Sequence, residues 1–539
     1  MSSTQFDYII VGGGSAGCVL ANRLSESGEH QVCLLEAGPN DKSPMISIPG
    51  AFAWFMFSRK YNWMFDSEPK SDIRKGKPVF CPQGKALGGG SAINAMIYIR
   101  GDRHDYDHWA SLGNSGWGYD DLLPYFKKNE CNERGGDALH GDSGPLYVSD
   151  CRNYYPINER FLQAASEAGY PSTRDFNGPR QEGVGFYQFT IKNGKRCSAS
   201  HAYLHPALSR PNLTVKTGAQ ATRILFEGKR AAGIEFRQKG RIHRLHAGRE
   251  VILSAGAFNS PKLLMLSGIG PVDALQTAGV RTVHELPGVG ENLQEHVDSC
   301  VLQESLKGDG FRASPAGLLR MAPEPFRYLF GKKGKLESSV TLAGAFLKTS
   351  EDLEIPDVQL HFLPLLYDDS GRDLKLMSRK GYSCHVCVLR PKSTGRVTLK
   401  SADPDDDPVI DLNFLTHPDD CKTLVNGIRL VRKILAASAF DDYRGEELNP
   451  GSDAQSDDEI LARAKDHLGL VYHPVGTCRM GSDELAVVDD ELRVRGLEAL
   501  RVVDASVMPT LIGGNTNAPT MVIAEKAADL IQSGSAISA

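Results

Sequence analysis

Residues 6–38 read FDYIIVGGGSAGCVLANRLSESGEHQVCLLEAG. Tyr8 to Val11 is a short apolar run, followed by Gly12, Gly14 and Gly17 in GxGxxG spacing. A stretch with Ala16, Val19, Leu20, Ala21 and Leu24 apolar then has helical spacing, and a second apolar run, Val32 to Leu35, ends at Glu36. Strand, glycine turn, helix, strand and acid in this order predict a dinucleotide site. Gly12 makes the tight turn, Gly14 lets backbone approach a pyrophosphate, and Gly17 allows close helix–strand packing. Ser15 and Ala16 open the helix, whose free N–H groups and positive dipole end face the phosphates. Glu36, followed by Ala37, is placed to accept hydrogen bonds from a ribose, and its charge disfavours a 2′-phosphate. The motif leaves NAD and FAD both open.

Outside that unit, 539 residues exceed one ordinary core, so two domains are expected. Hydrophobic residues at 41% and charged residues at 24% fit a globular protein, and a net charge of −5 speaks against a nucleic-acid partner. The first residues lack a secretion-signal pattern, and no apolar run is long enough to span a bilayer. The 11 cysteines, odd in number and scattered, read as reduced thiols. Cys384 and Cys387 have CxxC spacing but lie in an alternating stretch that reads as a strand, so they are expected to be ordinary buried cysteines. No HExxH spacing occurs, and no metal is expected.

A second glycine cluster, Gly84, Gly88, Gly89 and Gly90, runs into Ser91 to Ala95 and suits another backbone contact with a phosphate or a ring edge. The stretch GKALGGGSAINAMIYIRGDRHDYDHW resembles the first motif of the glucose–methanol–choline (GMC) oxidoreductases, and GAFNSPKLLMLSGIG (256–270) resembles the second. LPGVGENLQEHVD, YHPVGTCRMG and VVDASVMPTLIGGNTNAPTMVIAEKAADLI are similar to further blocks of that family, and the likeness runs from Asp7 to Ile531. Its nearest branch is choline dehydrogenase-like, with the medium-chain alcohol dehydrogenases of bacteria.

The resemblance implies FAD. It places Gly89, Asn94, Ala95 and Met96 along the flavin ring, Ala221 near the adenine, and Asp504 and Ala505 near the ribityl chain. Ile93 stands where some relatives carry the histidine that bonds flavin, so the FAD is expected to be non-covalent. His473 is expected to act as the base that takes the hydroxyl proton of an alcohol, and Asn517 to hold the alcohol oxygen. His296 is expected to be structural, near the domain junction. Tyr472 and Leu342 are expected on the substrate side. Leu342, in LAGAF, stands where choline-oxidising relatives carry a carboxylate, which tilts the expectation towards an uncharged primary alcohol, aliphatic or aromatic.

The expected fold is an α/β Rossmann-like FAD-binding domain (1–155, 206–300 and 461–539) with an α+β substrate domain (156–205 and 301–460) built on a mainly antiparallel sheet. Electrons are expected to pass to a quinone or another non-oxygen acceptor. The alternatives are an alcohol oxidase, a choline dehydrogenase, or a non-redox FAD protein similar to hydroxynitrile lyases. The expected location is the cytoplasm, with peripheral contact at the inner face of the cell membrane. That contact rests on residues 313–335, which mix apolar residues with Lys and Arg. The aromatic segment 51–63 reads either as a lid over the site or as a loop packed on the core.

Overall fold

The computed structural model describes residues 4–308, 310–331, 333–368 and 371–537. The strands predicted around the first glycine turn form, as Gln5–Val11 and Val32–Glu36, and they pair in parallel. They sit inside a seven-stranded sheet whose order is Leu213–Thr217, Val32–Glu36, Gln5–Val11, Arg241–Leu253, Arg230–Gln238, Ala219–Glu227. Leu500–Val502 adds alongside Arg241–Leu253 in parallel. The pairings from Leu213–Thr217 to Arg241–Leu253 are parallel, and the hairpin strands at the other edge are antiparallel. Helix Ser15–Leu24 buries Val19, Leu20 and Leu24 against this sheet and packs on the C-terminal helix Asn517–Ile537. Arg23 forks onto Glu525 with contacts of 2.8 to 3.1 Å, and the Tyr203 hydroxyl donates to the same carboxylate at 2.7 Å.

The second sheet is antiparallel throughout. Its order is Arg444–Asn449, Val297–Ser305, Gly381–Val388, Val358–Leu363, Ala343–Leu347, Gly183–Phe186, with Gly469–Leu470 beside Val297–Ser305. Strand alternation divides its side chains between two faces. Val297, Val301, Ala343, Leu347, Leu360, Phe362, Cys384 and Val386 pack into one core with the helices Pro156–Glu167 and Pro418–Leu435. Gln359, His361 and His385 take the other face, where His361 and His385 are direct cross-strand neighbours. The CxxC pair is split by the same alternation: Cys384 lies in the apolar core and Cys387 in a separate cluster with Leu342 and Phe346. Both are free and buried, and no metal-ligating cluster occurs among the described residues.

The sheets shift the expected domain boundaries. Strand Val297–Ser305 crosses the expected break at 300. Ile460, Ala464, Leu468 and Leu470 pack with the second sheet, whereas Cys197, Ala199, Tyr203 and Leu204 return to the core of the first.

Candidate active site

A cavity of about 330 Å³ lies between the two sheets. One end is the first glycine turn, with Gly12, Gly14, Ser15 and Ala16 on its wall. The second glycine cluster meets the first there. A Cβ on Gly89, whose φ is +51°, would lie 2.6 Å from Gly14 Cα, and one on Gly17 would lie 1.9 Å from Gly12 O, so neither position tolerates a side chain. A Cβ on Gly90 would meet no protein atom within 4 Å, and Gly90 lines the cavity. A smaller cavity shares Gly12, Trp63, Ala255 and Asn259 with the first and reaches Ala37 and Ala221. The cleft is therefore long and narrow, with backbone at its middle, which fits a dinucleotide laid from Ala221 through the glycine loops towards Asn94, Ala95 and Met96.

Glu36 is buried, and its two oxygens accept from Gly13 N at 2.9 Å and Gly38 N at 2.6 Å. It thus fixes the turn beside its predicted place at the ribose. Asp504 is engaged by Gly256 N, Ser260 Oγ and Ser506 N and Oγ at 2.5 to 2.9 Å, so its carboxylate clamps two loops while Asp504 and Ala505 line the cavity. Met96, with φ +63°, and Tyr472, with φ +68°, hold left-handed backbone and both line the cavity, a strain of about 1–3 kcal/mol each that clusters at functional sites. Ile93 is on the wall, with no nucleophilic atom to offer. Of the aromatic segment, Phe52, Met56 and Trp63 line the cavity, while Phe55 and Tyr61 pack with Ile93 in a small core.

At the far end stands His473. Residues Gln294 and Val475 exchange backbone hydrogen bonds of 3.1 and 2.9 Å, which brings the LQEH and YHPVG blocks together. Glu295 Oε1 accepts from the backbone N–H of both His296 (2.9 Å) and His473 (2.6 Å). Burial pushes the Glu295 carboxyl up to about 8, against those two hydrogen bonds. His296, expected to be structural, touches His473 directly: their Nδ1 atoms are 2.9 Å apart, and His296 Nε2 is 3.0 Å from Leu389 O. A carbonyl only accepts, so His296 carries its proton on Nε2. Burial brings His296 down to about 3, so it is neutral and its Nδ1 accepts. His473 Nδ1 must then donate, which leaves Nε2 as the unprotonated, basic nitrogen of the ring. Burial, with His296 and His361 adding to it, holds His473 well below the ordinary histidine value.

The partner of that nitrogen corrects the sequence reading. It is Asn515, whose Nδ2 lies 3.0 Å from His473 Nε2, and not Asn517. Asn517 is the first residue of the C-terminal helix and turns towards helix Ser15–Leu24, where its Oδ1 accepts from Ser15 Oγ at 2.7 Å. Two residues earlier the chain is still an extended loop, and Asn515 faces the second sheet. Gln359 Nε2 donates to Asn515 Oδ1 at 3.3 Å and so orients the amide with its N–H groups towards His473. Asn517 does line the cavity, beside Ser15 at the first glycine turn.

Leu342 is the second correction. It is buried with Phe346 and Cys387 and does not reach the cavity, which is lined instead by Val340 and Thr341. Nor is the wall free of carboxylates. Asp298 pairs with His385 Nδ1 at 2.7 Å and Asp368 with His467 Nδ1 at 2.6 Å, all four on the cavity wall. His361, also on the wall, is brought down to about 3 by burial. The sequence carried a signal for it: Gln359 and His361 are polar at alternate positions of an otherwise apolar strand, VQLHFL.

A family model described as GMC oxidoreductase matches residues 6–298, and a second with the same description matches residues 391–524. The chain is 47% identical over 534 residues to an alcohol dehydrogenase (acceptor) of Pseudomonas putida, covering 98% of this chain and 96% of that protein. It is 44% identical to an oxygen-dependent choline dehydrogenase of Rhizobium rhizogenes, covering 98% and 95%. Among solved structures, pyridoxine 4-oxidase from Mesorbium loti superposes with a TM-score of 0.88 at 31% identity, covering 97% of this chain and 98% of that one. A formate oxidase variant of Aspergillus oryzae RIB40, from a study of FAD modification, gives a TM-score of 0.90 at 27% identity and 99% of both chains.

Proposed function

The chain belongs to the GMC oxidoreductase family, and from that premise we propose that it oxidises an uncharged primary alcohol to the aldehyde and hands the electrons to a non-oxygen acceptor such as a quinone. FAD is its cofactor, as in the family, and lies in the long cleft held by Gly12, Gly14, Gly89 and the first turn of helix Ser15–Leu24. With Ile93 at the wall, the cofactor is dissociable. When bound, FAD supplies the acceptor for the hydride that leaves the carbinol carbon.

The chain's own part is proton and charge management. His473 Nε2 takes the hydroxyl proton, since its other nitrogen is committed to His296. The Asn515 amide, whose Nδ2 contacts His473 Nε2 at 3.0 Å, has two N–H groups and can give one to the alcohol oxygen as negative charge gathers there, without competing for the proton. His296 positions His473 and fixes its tautomer. The single observation that carries this reading is the buried relay Leu389 O, His296, His473, Asn515, with its basic nitrogen on the cavity wall.

A second reading, a cationic alcohol such as choline, is favoured by Asp298 and Asp368 on the wall. Each carboxylate is already engaged by a histidine, which leaves less charge to balance an ammonium and keeps the neutral alcohol ahead. Anaerobic addition of octanol, benzyl alcohol and choline in turn, followed by air, separates the readings. Bleaching by octanol or benzyl alcohol that air restores slowly is expected. Bleaching by choline alone would replace the substrate, fast recovery with peroxide would make the enzyme an oxidase, and no bleaching with any alcohol would end the redox reading.

A further inference from the structure

The short helices Pro315–Met321 and Glu324–Gly331 have their polarity reversed. In Glu324–Gly331 the inward side is Glu324 and Tyr328, one turn apart, with the Tyr328 hydroxyl donating to Gly194 O at 2.9 Å. The outward side is Phe326, Leu329 and Phe330, which are 65%, 66% and 87% exposed. Leu318 and Leu319 of the preceding helix are 58% and 76% exposed. A surface helix ordinarily turns such residues to the core, and adjacent exposed apolar side chains of this number mark an interaction surface.

Basic residues surround them. Arg320, Arg327 and Lys333 are exposed on the same hairpin, and Lys375, Arg379 and Lys380 are exposed on the neighbouring segment, which joins it through Ala313 N to Met377 O at 2.8 Å. We propose that this hairpin docks on an anionic lipid surface, with Phe326, Leu329 and Phe330 entering the interface and the cations facing headgroups. Pairing of two copies through the same face would set cation against cation, which favours lipid over a second copy. Among the described residues no helix is long and apolar enough to cross a membrane, so the contact is peripheral. The hairpin leads directly to the cavity. Leu336 packs on Gly50, and Val340 and Thr341 are on the cavity wall, so docking brings the site to the bilayer surface, where an apolar acceptor or alcohol partitions.

Flotation of the FAD-loaded enzyme with phosphatidylcholine vesicles, with and without phosphatidylglycerol, tests this. The wild type should float with the anionic vesicles and be released by salt. The double variant F326S/F330S should bind roughly tenfold less or weaker still, with alcohol turnover to a soluble dye unchanged. K333E/K375E should lose the preference for phosphatidylglycerol. Wild-type protein that stays below both vesicle layers would overturn the proposal. So would a dimer in sedimentation that F330S dissolves, because the face would then be covered by a second copy.

Discussion

A histidine becomes a base only when its neighbours decide which nitrogen is free. Around His473 that decision is made by His296 and the Leu389 carbonyl on one side and by Asn515 on the other. Replacing His473 by Ala should slow flavin reduction roughly 10²- to 10⁴-fold while the protein keeps its yellow cofactor. Asn515→Ala should slow the same step about a hundredfold, whereas Asn517→Ala should act chiefly on FAD retention; rapid-mixing reduction and bound-flavin absorbance read the two apart. His296→Leu should cost roughly tenfold to a hundredfold, and His296→Gln, which keeps an acceptor for His473 Nδ1, should recover part of it. Because burial holds His473 well below the ordinary value, the acid limb of kcat/KM against pH should fall below about 6.5; a limb near 7 or above would contradict a buried neutral base. The sequence made His473 legible through its broken, Pro- and Gly-flanked backbone. It did not make the choice between Asn515 and Asn517 legible, because the two amides are two residues apart and only the helix start at Asn517 turns one of them away.

Elements set what those residues can reach. Helices Ser15–Leu24 and Asn517–Ile537 begin at the cavity and are locked side by side by Arg23 and a fully buried Glu525. Burial alone would raise the Glu525 carboxyl, but Arg23 holds it below the usual range. Glu525→Gln leaves Arg23 only the exposed Glu26, at 3.5 Å, as a carboxylate partner and should cost up to about 3–5 kcal/mol of unfolding free energy. The sign with pH follows: a depressed carboxyl contributes stability fully above its unfolded value of about 4.3 and loses it as pH falls through the folded value, so the gap between wild type and Glu525→Gln in denaturant midpoint should narrow on acidification. Gly90→Leu fills space that no protein atom occupies, so the variant should fold yet purify with little FAD; full flavin content would move the cofactor away from this loop. The glycine turn and its helix were legible because each glycine answers a local steric demand. The cavity face of the second sheet was less so: Asp298, His361 and His385 come from three strands, and their convergence depends on pairing registers that no local pattern carries.

At the scale of the molecule, the two sheets and the cleft between them match the architecture read from the family blocks, and the mainly antiparallel character of the second sheet follows from its alternating strands. The domain borders did not follow, since strand Val297–Ser305 runs across the expected break at 300, and Ala464, Leu468 and Leu470 join the second core from a stretch expected in the first domain. A ligand that spans both glycine clusters should stabilise the folded chain by mass action. Adding FAD to the stripped protein should therefore raise its melting temperature in a concentration-dependent way, and the rise should be smaller in Gly90→Leu. The most direct measurement is single-turnover anaerobic reduction of the bound flavin by benzyl alcohol or octanol, wild type beside His473→Ala and Asn515→Ala at equal flavin content. Rapid bleaching is expected in the wild type, near loss in His473→Ala and a large slowing in Asn515→Ala; bleaching at the wild-type rate in His473→Ala would show that another group takes the proton.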